Sequence, residues 1–319
     1  MSSTSTAPVS VIIPCLNMEA TLGEAIESVL HQTARPLEVL VMDDGSTDGS
    51  LEIARSFGDP VRVLPNLDGC TGGARGGGTK RASGKYVTFC DADDYIKPTK
   101  IEKQLAVLEN SAPETLVHTG AEIFFDDGSK PTYERPGGEQ ATGKCLQTVF
   151  EINPVCGASV MMRRSMILKL GNYDPQLRGT DDYGMSLAAA TRCEFVYLAE
   201  PLYCIRRHAT NMTNCKANMM YYHWLAQEKF RKSFPDAFAA LPSESIQRYM
   251  VEPVLRTVRD AYWRRDPVGY RRLLKLALTL APDDPEMGRL DGRRWWPMSL
   301  LRAWDRVNQL LPQPSVKAS

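Results

Sequence analysis

The chain has 319 residues, 43% hydrophobic and 24% charged, with 38 basic side chains (Lys+Arg) against 38 acidic ones. That balance belongs to an ordinary globular protein, long enough for one large domain or a domain with an extension. It excludes the basic excess of a nucleic-acid binder, so no nucleic-acid partner is expected.

The eight cysteines (Cys15, Cys70, Cys90, Cys145, Cys156, Cys193, Cys204 and Cys215) form no CxxC pair and no zinc-like spacing. Several lie inside apolar runs, the pattern of reduced, buried thiols in a cytoplasmic protein. The opening MSSTSTAPVS lacks the charged-then-apolar order of a signal peptide. No run approaches the roughly 18 apolar residues of a spanning helix. The expectation is a cytoplasmic protein, with peripheral contact at the inner face of a membrane left open.

In chain order, VSVIIP (9–14) is a β-branched run without polar alternation, as in a strand buried on both faces. Thr21-x-x-Glu24 reads as a capping box for a helix through Leu22, Ile26, Val29 and Leu30. LEVLVMDDGSTD predicts a strand over 37–42, an acidic turn, and a helix through Leu51, Ala54 and Phe57. VRVLPN (61–66) is a third strand, followed by a Gly-rich loop and helix over 71–83 and by the strand YVTFC. Pro98 and a second capping box, Thr99-x-x-Glu102, open a helix through Ile101, Leu105 and Leu108. Four rounds of strand and helix predict an α/β protein with a mainly parallel sheet flanked by helices. Ligands bind such sheets outside the carboxyl ends of the strands.

Beyond about residue 110 the pattern is irregular, with β-prone runs TLVHTG, EIFF, SVMMRR, FVYL and LYCIRR and a helix after Asp181-Asp182. From about residue 215 the chain reads helical, near 216–234, 243–264, 266–281 and 298–311. This places a catalytic domain over 1–214 and a helical C-terminal extension over 215–319.

Three acidic groups fall at strand or helix ends. In TFCDADDYIKP (88–98), an extended chain would turn Asp91 and Asp93 to one side. Converging carboxylates repel unless a cation or proton neutralises them. Oxygen ligands alone suit a hard ion, Mn²⁺ or Mg²⁺, which keeps positions open for substrate phosphates. Asp43-Asp44-Gly45-Ser46 ends strand two on the same rim; a turn and N-cap explain part of it, with Asp48, Ser46 or Thr47 serving the helix. A carboxylate there can also accept the imide N–H of a uracil-type base. The third group, GTDDYG, either caps the helix that follows or supplies a general base for a hydroxyl nucleophile.

VSVIIPCLN, VLVMDDGSTDGS, ASGKYVTFCDADDYIKPTKI, RGTDDYGMSLAA and PLYCIRRHATNMT occur in that order. Together they resemble the family 2 glycosyltransferases of the GT-A (Rossmann-like) fold, over about residues 8–214. The resemblance implies an inverting hexosyltransferase that moves a sugar from a nucleotide-diphosphate sugar, UDP by family expectation, with Mn²⁺ or Mg²⁺ as cofactor. The acceptor would be a hydroxyl of a glycan or lipid-linked molecule, as in polysaccharide biosynthesis. Carried over by position, the backbone at Pro14 and the side chain of Asn17 resemble the nucleoside pocket floor, and Asp44 the nucleobase acid. Asp91 resembles the first acid of a D-x-D motif and Asp93 its direct metal ligand, with His208 near the metal or the diphosphate. Asp182 resembles the catalytic base, and Asp181 stands where Glu is usual. Asp94 orients the loop or caps the next helix. Arg206 and Arg207 either bind diphosphate or flank the strand in solvent.

GCTGGARGGGTKRASG is not a phosphate loop, because it lacks G-x-x-x-x-G-K-[ST]. It is read as a mobile wall of the nucleotide pocket, with Arg75 a contact to nucleotide or phosphate and Gly76 where the family commonly has Asn. No Q-x-x-R-W acceptor motif is present; MMYYHW (219–224) is either acceptor platform or helix core. RRWWPMSLLRAWDRVNQLL carries an amphipathic stripe (Leu300, Trp304, Val307, Leu311) for a membrane interface, the catalytic domain or a second subunit.

Three alternatives stay open at this point. A nucleotidyltransferase would carry a Gly-rich signature with Arg and Lys at the first strand's end, where this chain has PCLNMEA. A glycoside hydrolase uses two carboxylates but needs neither a nucleobase acid nor a metal. A non-catalytic sugar-nucleotide-binding protein would keep nucleotide affinity after Asp182→Asn and show no turnover.

Overall fold

The computed structural model describes residues 6–125, 133–135, 139–207, 216–264 and 267–293. The chain forms two compact units, Met1–Cys215 with Tyr222–Ser245, and Lys216–Tyr221 with Ile246–Ser319.

The first unit begins with parallel strands β1 (Ala7–Cys15), β2 (Pro36–Asp43), β3 (Val61–Pro65) and β4 (Tyr86–Phe89). Helices α1 (Leu22–Leu30), α2 (Ser50–Ser56) and α3 (Thr71–Arg81) connect them. Val9, Val11, Ile12 and Ile13 of β1 and Val39 to Met42 of β2 are fully buried. That is why these runs carry no polar alternation: helices cover both faces of the sheet.

The rest of the unit contributes β5 (Tyr95–Ile96), α4 (Lys100–Glu109), β6 (Thr115–Phe125), β7 (Tyr133–Arg135), α5 (Leu146–Ile152), β8 (Met161–Arg163), α6 (Arg164–Lys169), α7 (Asp181–Ala190) and β9 (Glu194–Arg207). The sheet order is β3-β2-β1-β4-β8-β6-β9-β5, with β7 on β6. Past β4 the sheet is mixed rather than mainly parallel. The short β8 runs antiparallel between β4 and β6, while β6 and β9 pair in parallel. Strand order reverses between β1 and β4, and such a reversal opens a crevice at the carboxyl edge. Cys15, Asp43 and Pro65 end their strands in one register across β1, β2 and β3. The Cys90 N–H donates to the Ile12 carbonyl at 3.1 Å, so the acidic segment leaves β4 beside the end of β1.

α8 (Lys216–Ser233), α9 (Pro235–Ala239) and α10 (Ser243–Ile246) follow. Residues 222–245 group with the first unit rather than with the helical extension that begins at 215 in the sequence reading. Aromatic packing is the reason: His223 stacks on Tyr183 at 4.2 Å, and Phe238 meets Phe150 edge-on at 6.1 Å.

The second unit continues through a π-helical turn (Gln247–Val251) into α11 (Glu252–Arg264), α12 (Pro267–Leu280) and α13 (Pro285–Arg293). Val254, Val258, Leu273, Ala277 and Met287 are buried. The Tyr270 hydroxyl donates to the Leu290 carbonyl at 2.7 Å, and Arg259 pairs with Glu286 at 2.6 Å. The stretch α13 had no counterpart among the predicted segments, and the predicted 298–311 helix lies outside the described residues. No helix of the described residues is long and apolar enough to cross a membrane.

Neither predicted capping box forms. Thr21 and Thr99 stand at the N-caps of α1 and α4, but neither side chain caps the helix. The Thr21 hydroxyl donates instead to the Ala92 carbonyl at 2.8 Å, and Glu102 accepts from the Thr33 hydroxyl at 2.7 Å. Long-range partners outcompete the local bond in both cases.

Candidate active site

The rim at the ends of β1 and β2 is laced by short polar bonds. Asp43 accepts from the Gly45 and Ser46 backbone N–H groups at 3.1 Å each, forming an Asx turn. Asn17, at φ 53°, donates its N–H to the Ser46 hydroxyl at 3.0 Å and accepts from the Thr47 N–H at 2.8 Å. Its side chain thus fastens the exit of β1 to the turn after β2. Pro14 stands in β1 opposite Met42. Asp44 donates its N–H to the Cys15 carbonyl, and its carboxylate accepts from the Asn66 amide at 2.9 Å. Partial burial raises the Asp44 carboxyl; Asn66 opposes this, Asp43 adds to it and Arg178 opposes it. The Asn66 amide also donates to the Cys70 carbonyl, which ties this corner to the N-cap of α3.

The acids after β4 do not lie on an extended strand. The Asp94 N–H donates to the Asp91 carbonyl at 3.0 Å, closing a turn, so the alternation expected of Asp91 and Asp93 does not apply. Each carboxylate goes its own way. Asp91 meets Arg75 at 2.7 Å. Asp94 is buried, accepting from the Tyr203 hydroxyl and the Arg206 N–H at 2.8 Å each. The same Tyr203 oxygen accepts from the Asp91 N–H at 3.0 Å. Burial and the neighbouring Asp91 and Asp93 hold the Asp94 carboxyl well above the ordinary carboxylate range. Asp94 therefore orients the turn and does not cap α4.

Arg206 belongs to this support. Its Nε donates to the Asp93 carbonyl at 2.8 Å, its Nη2 pairs with Glu24, and its guanidinium lies 4.7 Å from the Phe124 ring centre. Thr21 and Glu24, the two residues of the predicted capping box, thus hold the acidic turn from α1. Tyr203, Thr21 and Glu24 escape sequence reading in this role because their partners lie on other elements; Tyr203 shows there only as part of a β-prone run.

Asp181 and Asp182 occupy the first turn of α7. Asp181 is 1% exposed and pairs with Arg75 at 2.9 Å. Burial pushes its carboxyl up to about 6, with Arg75 opposing and Asp182 adding. Asp182 accepts from the Tyr183 N–H at 2.8 Å. Burial raises its carboxyl too, against the pull of Arg75. A carboxylate raised in this way is a better proton acceptor than a solvated one. Tyr183 is anchored by its hydroxyl on the Phe150 carbonyl at 2.9 Å and by His223 stacked on its ring.

The glycine-rich segment is a packed helix and not a mobile wall. Arg75 on α3 is 5% exposed and reaches both Asp91 and Asp181. Through Arg75 the acids after β4 meet those of α7, and through Asn66 and Cys70 the Asp44 corner joins the same helix. Among the described residues, no three His, Cys, Asp or Glu side chains are grouped to hold a metal by themselves. His208 lies outside the described residues.

The arrangement ties the Asp44 corner, the acidic turn after β4 and the first turn of α7 to one helix, α3. The family model described as glycosyl transferase family 2 matches residues 10–171. An uncharacterized glycosyltransferase of Rickettsia prowazekii (strain Madrid E) is 31% identical over 215 residues, 66% of this chain and 68% of that protein. A putative glycosyltransferase, EpsE of Bacillus subtilis (strain 168), is 33% identical over 183 residues, 52% of this chain and 59% of that one. Among solved structures, S. aureus TarS 1–349 in complex with UDP-GlcNAc superposes with a TM-score of 0.56 at 18% identity, covering 83% of this chain and 90% of that one.

Proposed function

Because the chain belongs to glycosyl transferase family 2, we propose that it moves a sugar from a UDP-sugar to a hydroxyl of a glycan or lipid-linked acceptor, with inversion at the anomeric carbon. TarS, which shares the fold, is described in complex with UDP-GlcNAc and with UDP, and this favours uridine over other bases. The observation that carries the reading is the link through Arg75 between Asp91 on the acidic turn and Asp181 beside Asp182.

In this reading Asp44 accepts the imide N–H of the base, beside the Pro14 backbone and the Asn17 side chain. Asp182 takes the proton of the acceptor hydroxyl as its oxygen bonds to the anomeric carbon and the bond to the diphosphate breaks. The turn offers oxygen donors only, which suit a hard divalent cation: Asp93 and Asp91 would hold it through one or two carboxylates, with the rest of its ligands coming from outside the chain. Arg75 engages Asp91 through Oδ1, and Tyr203 and Arg206 fix the turn. When bound, Mn²⁺ or Mg²⁺ would offset negative charge growing on the leaving diphosphate.

A panel of nucleotide sugars with and without Mn²⁺, read by thermal shift and then by turnover, tests the reading. Asp182→Asn should keep donor binding and lose transfer, while Asp93→Asn should lose metal-dependent UDP binding. Equal UDP affinity of wild type and Asp93→Asn with Mn²⁺, measured calorimetrically, would contradict the donor site. The Trp295-Trp296 stretch lies outside the described residues. We propose peripheral membrane contact there, and a truncation after residue 292 that leaves membrane-fraction binding unchanged would remove that idea.

A further inference from the structure

Arg75 has every property of an internal strut and few of a ligand contact. Its side chain is 6% exposed, and its two terminal nitrogens face different carboxylates, Nη2 on Asp91 at 2.7 Å and Nη1 on Asp181 at 2.9 Å. Its Nε is buried without a hydrogen-bond partner among the described residues. The Phe89 ring lies 5.8 Å away and is itself pinned edge-on by Tyr173 at 5.0 Å. Burial works against the guanidinium charge, yet Asp91, Asp181 and Asp182 hold its pKa well above the ordinary value.

The glycines around it have a matching explanation. A β-carbon on Gly72 would stand 2.8 Å from the Asp174 carbonyl and 2.9 Å from the Asp181 Cβ. One on Gly76 would stand 2.9 Å from the Tyr173 carbonyl. The two bare positions flank Arg75 on the side of the 172–181 segment and let α3 lie directly against the backbone that leads into α7. A strut of fixed length reaches both acids only if its helix comes this close.

We propose that Arg75 is a positioning residue for glycosyl transfer, which joins the acidic turn on the donor side to the helix carrying the base and so sets Asp182 at its distance from the donor. The proposal rests on the functional reading above and replaces the expectation that Arg75 touches the nucleotide. A displacement of about 1 Å between reacting groups is enough to cost about 100-fold in rate. Lysine cannot take over fully, because one ammonium has no planar fork to span two carboxylates.

The test compares wild type, Arg75→Lys, Arg75→Met and the charge-balanced pair Arg75→Met/Asp181→Asn, using UDP-sugar turnover and calorimetric binding of UDP with Mn²⁺. The expected result for Arg75→Met is a kcat lower by about 100-fold with donor KM and UDP affinity changed less than about threefold. Arg75→Lys should recover part of kcat, and the charge-balanced pair should stay slow. A weakened UDP affinity with kcat intact makes Arg75 a nucleotide contact and overturns the proposal. Recovery of kcat in the charge-balanced pair reduces Arg75 to a counter-charge and also overturns it. If Arg75→Met does not fold, Arg75→Lys and the charge-balanced pair carry the same comparison. A wild type without turnover on any donor would sink the functional reading, whereas an active wild type matched in kcat by Arg75→Met would sink this proposal alone.

Discussion

Gly157 sits against Asp182 so closely that a β-carbon there would stand 2.3 Å from both the Cβ and the Oδ2 of the aspartate. Gly157 opens the 3-10 turn Gly157–Ser159, and Asp182 lies in the first turn of α7. Two segments with no sequence relation thus meet at the proposed base.

Gly157→Ala is therefore expected to push the Asp182 side chain from its place. The loss should fall on kcat, about 10- to 100-fold, with donor affinity kept, since the three atoms nearest that β-carbon all belong to Asp182. Steady-state kinetics beside UDP calorimetry check this; an unchanged kcat would mean that Asp182 can move without cost to the chemistry.

Tyr203→Phe removes one oxygen that serves two partners, the Asp94 carboxylate and the Asp91 N–H. Leaving buried polar groups unpaired costs roughly 1 to 3 kcal/mol. The variant should unfold at lower denaturant by that amount and bind UDP with Mn²⁺ more weakly, because the turn is no longer held. Urea titration and calorimetry read the two effects separately.

Chelation with EDTA should abolish turnover, and Mn²⁺ or Mg²⁺ should restore it. In Asp93→Asn, restoration should require far more metal. Undiminished turnover in EDTA would remove the cation from the mechanism.

Activity should fall on the acid side at a higher pH than for a solvated carboxylate. Burial pushes Asp181 up to about 6 and raises Asp182 as well, and the base works only when ionised. As pH falls, Asp182 takes up its proton and kcat/KM declines, and the decline starts at a higher pH than for a solvated carboxylate because burial raises this group; Asp181 beside it takes up its proton at about 6. The adjacent acids titrate as a pair, so the profile reports both together. A kcat/KM that declines only where a solvated carboxylate titrates would contradict Asp182 as the base.

Much of the first half of the fold was legible in the chain. VSVIIP and LEVLVM mark β1 and β2 because strands buried on both faces run mostly apolar without polar alternation, a pattern visible without a structure; the two polar exceptions, Ser10 and Glu38, are buried and hydrogen-bonded to each other at 2.7 Å. The positions of the acids along the chain were legible for a similar reason: Asp44 comes just after β2, Asp91 two residues past β4, and Asp182 second in α7, so their nearness to element ends is a local property.

Where each side chain points was decided only in three dimensions. Asp91 faces Arg75 and Asp94 faces Tyr203 because the segment closes into a turn. Thr21 and Glu24 make a sound capping box on paper, yet they bind Ala92 and Arg206, 71 and 182 residues away. The glycines around Arg75 resemble a flexible loop until the backbone opposite them is known. Periodicity records burial, which repeats along an element. A hydrogen bond or a close approach between distant segments happens once and leaves no repeat to read, so it belongs to the tertiary structure alone.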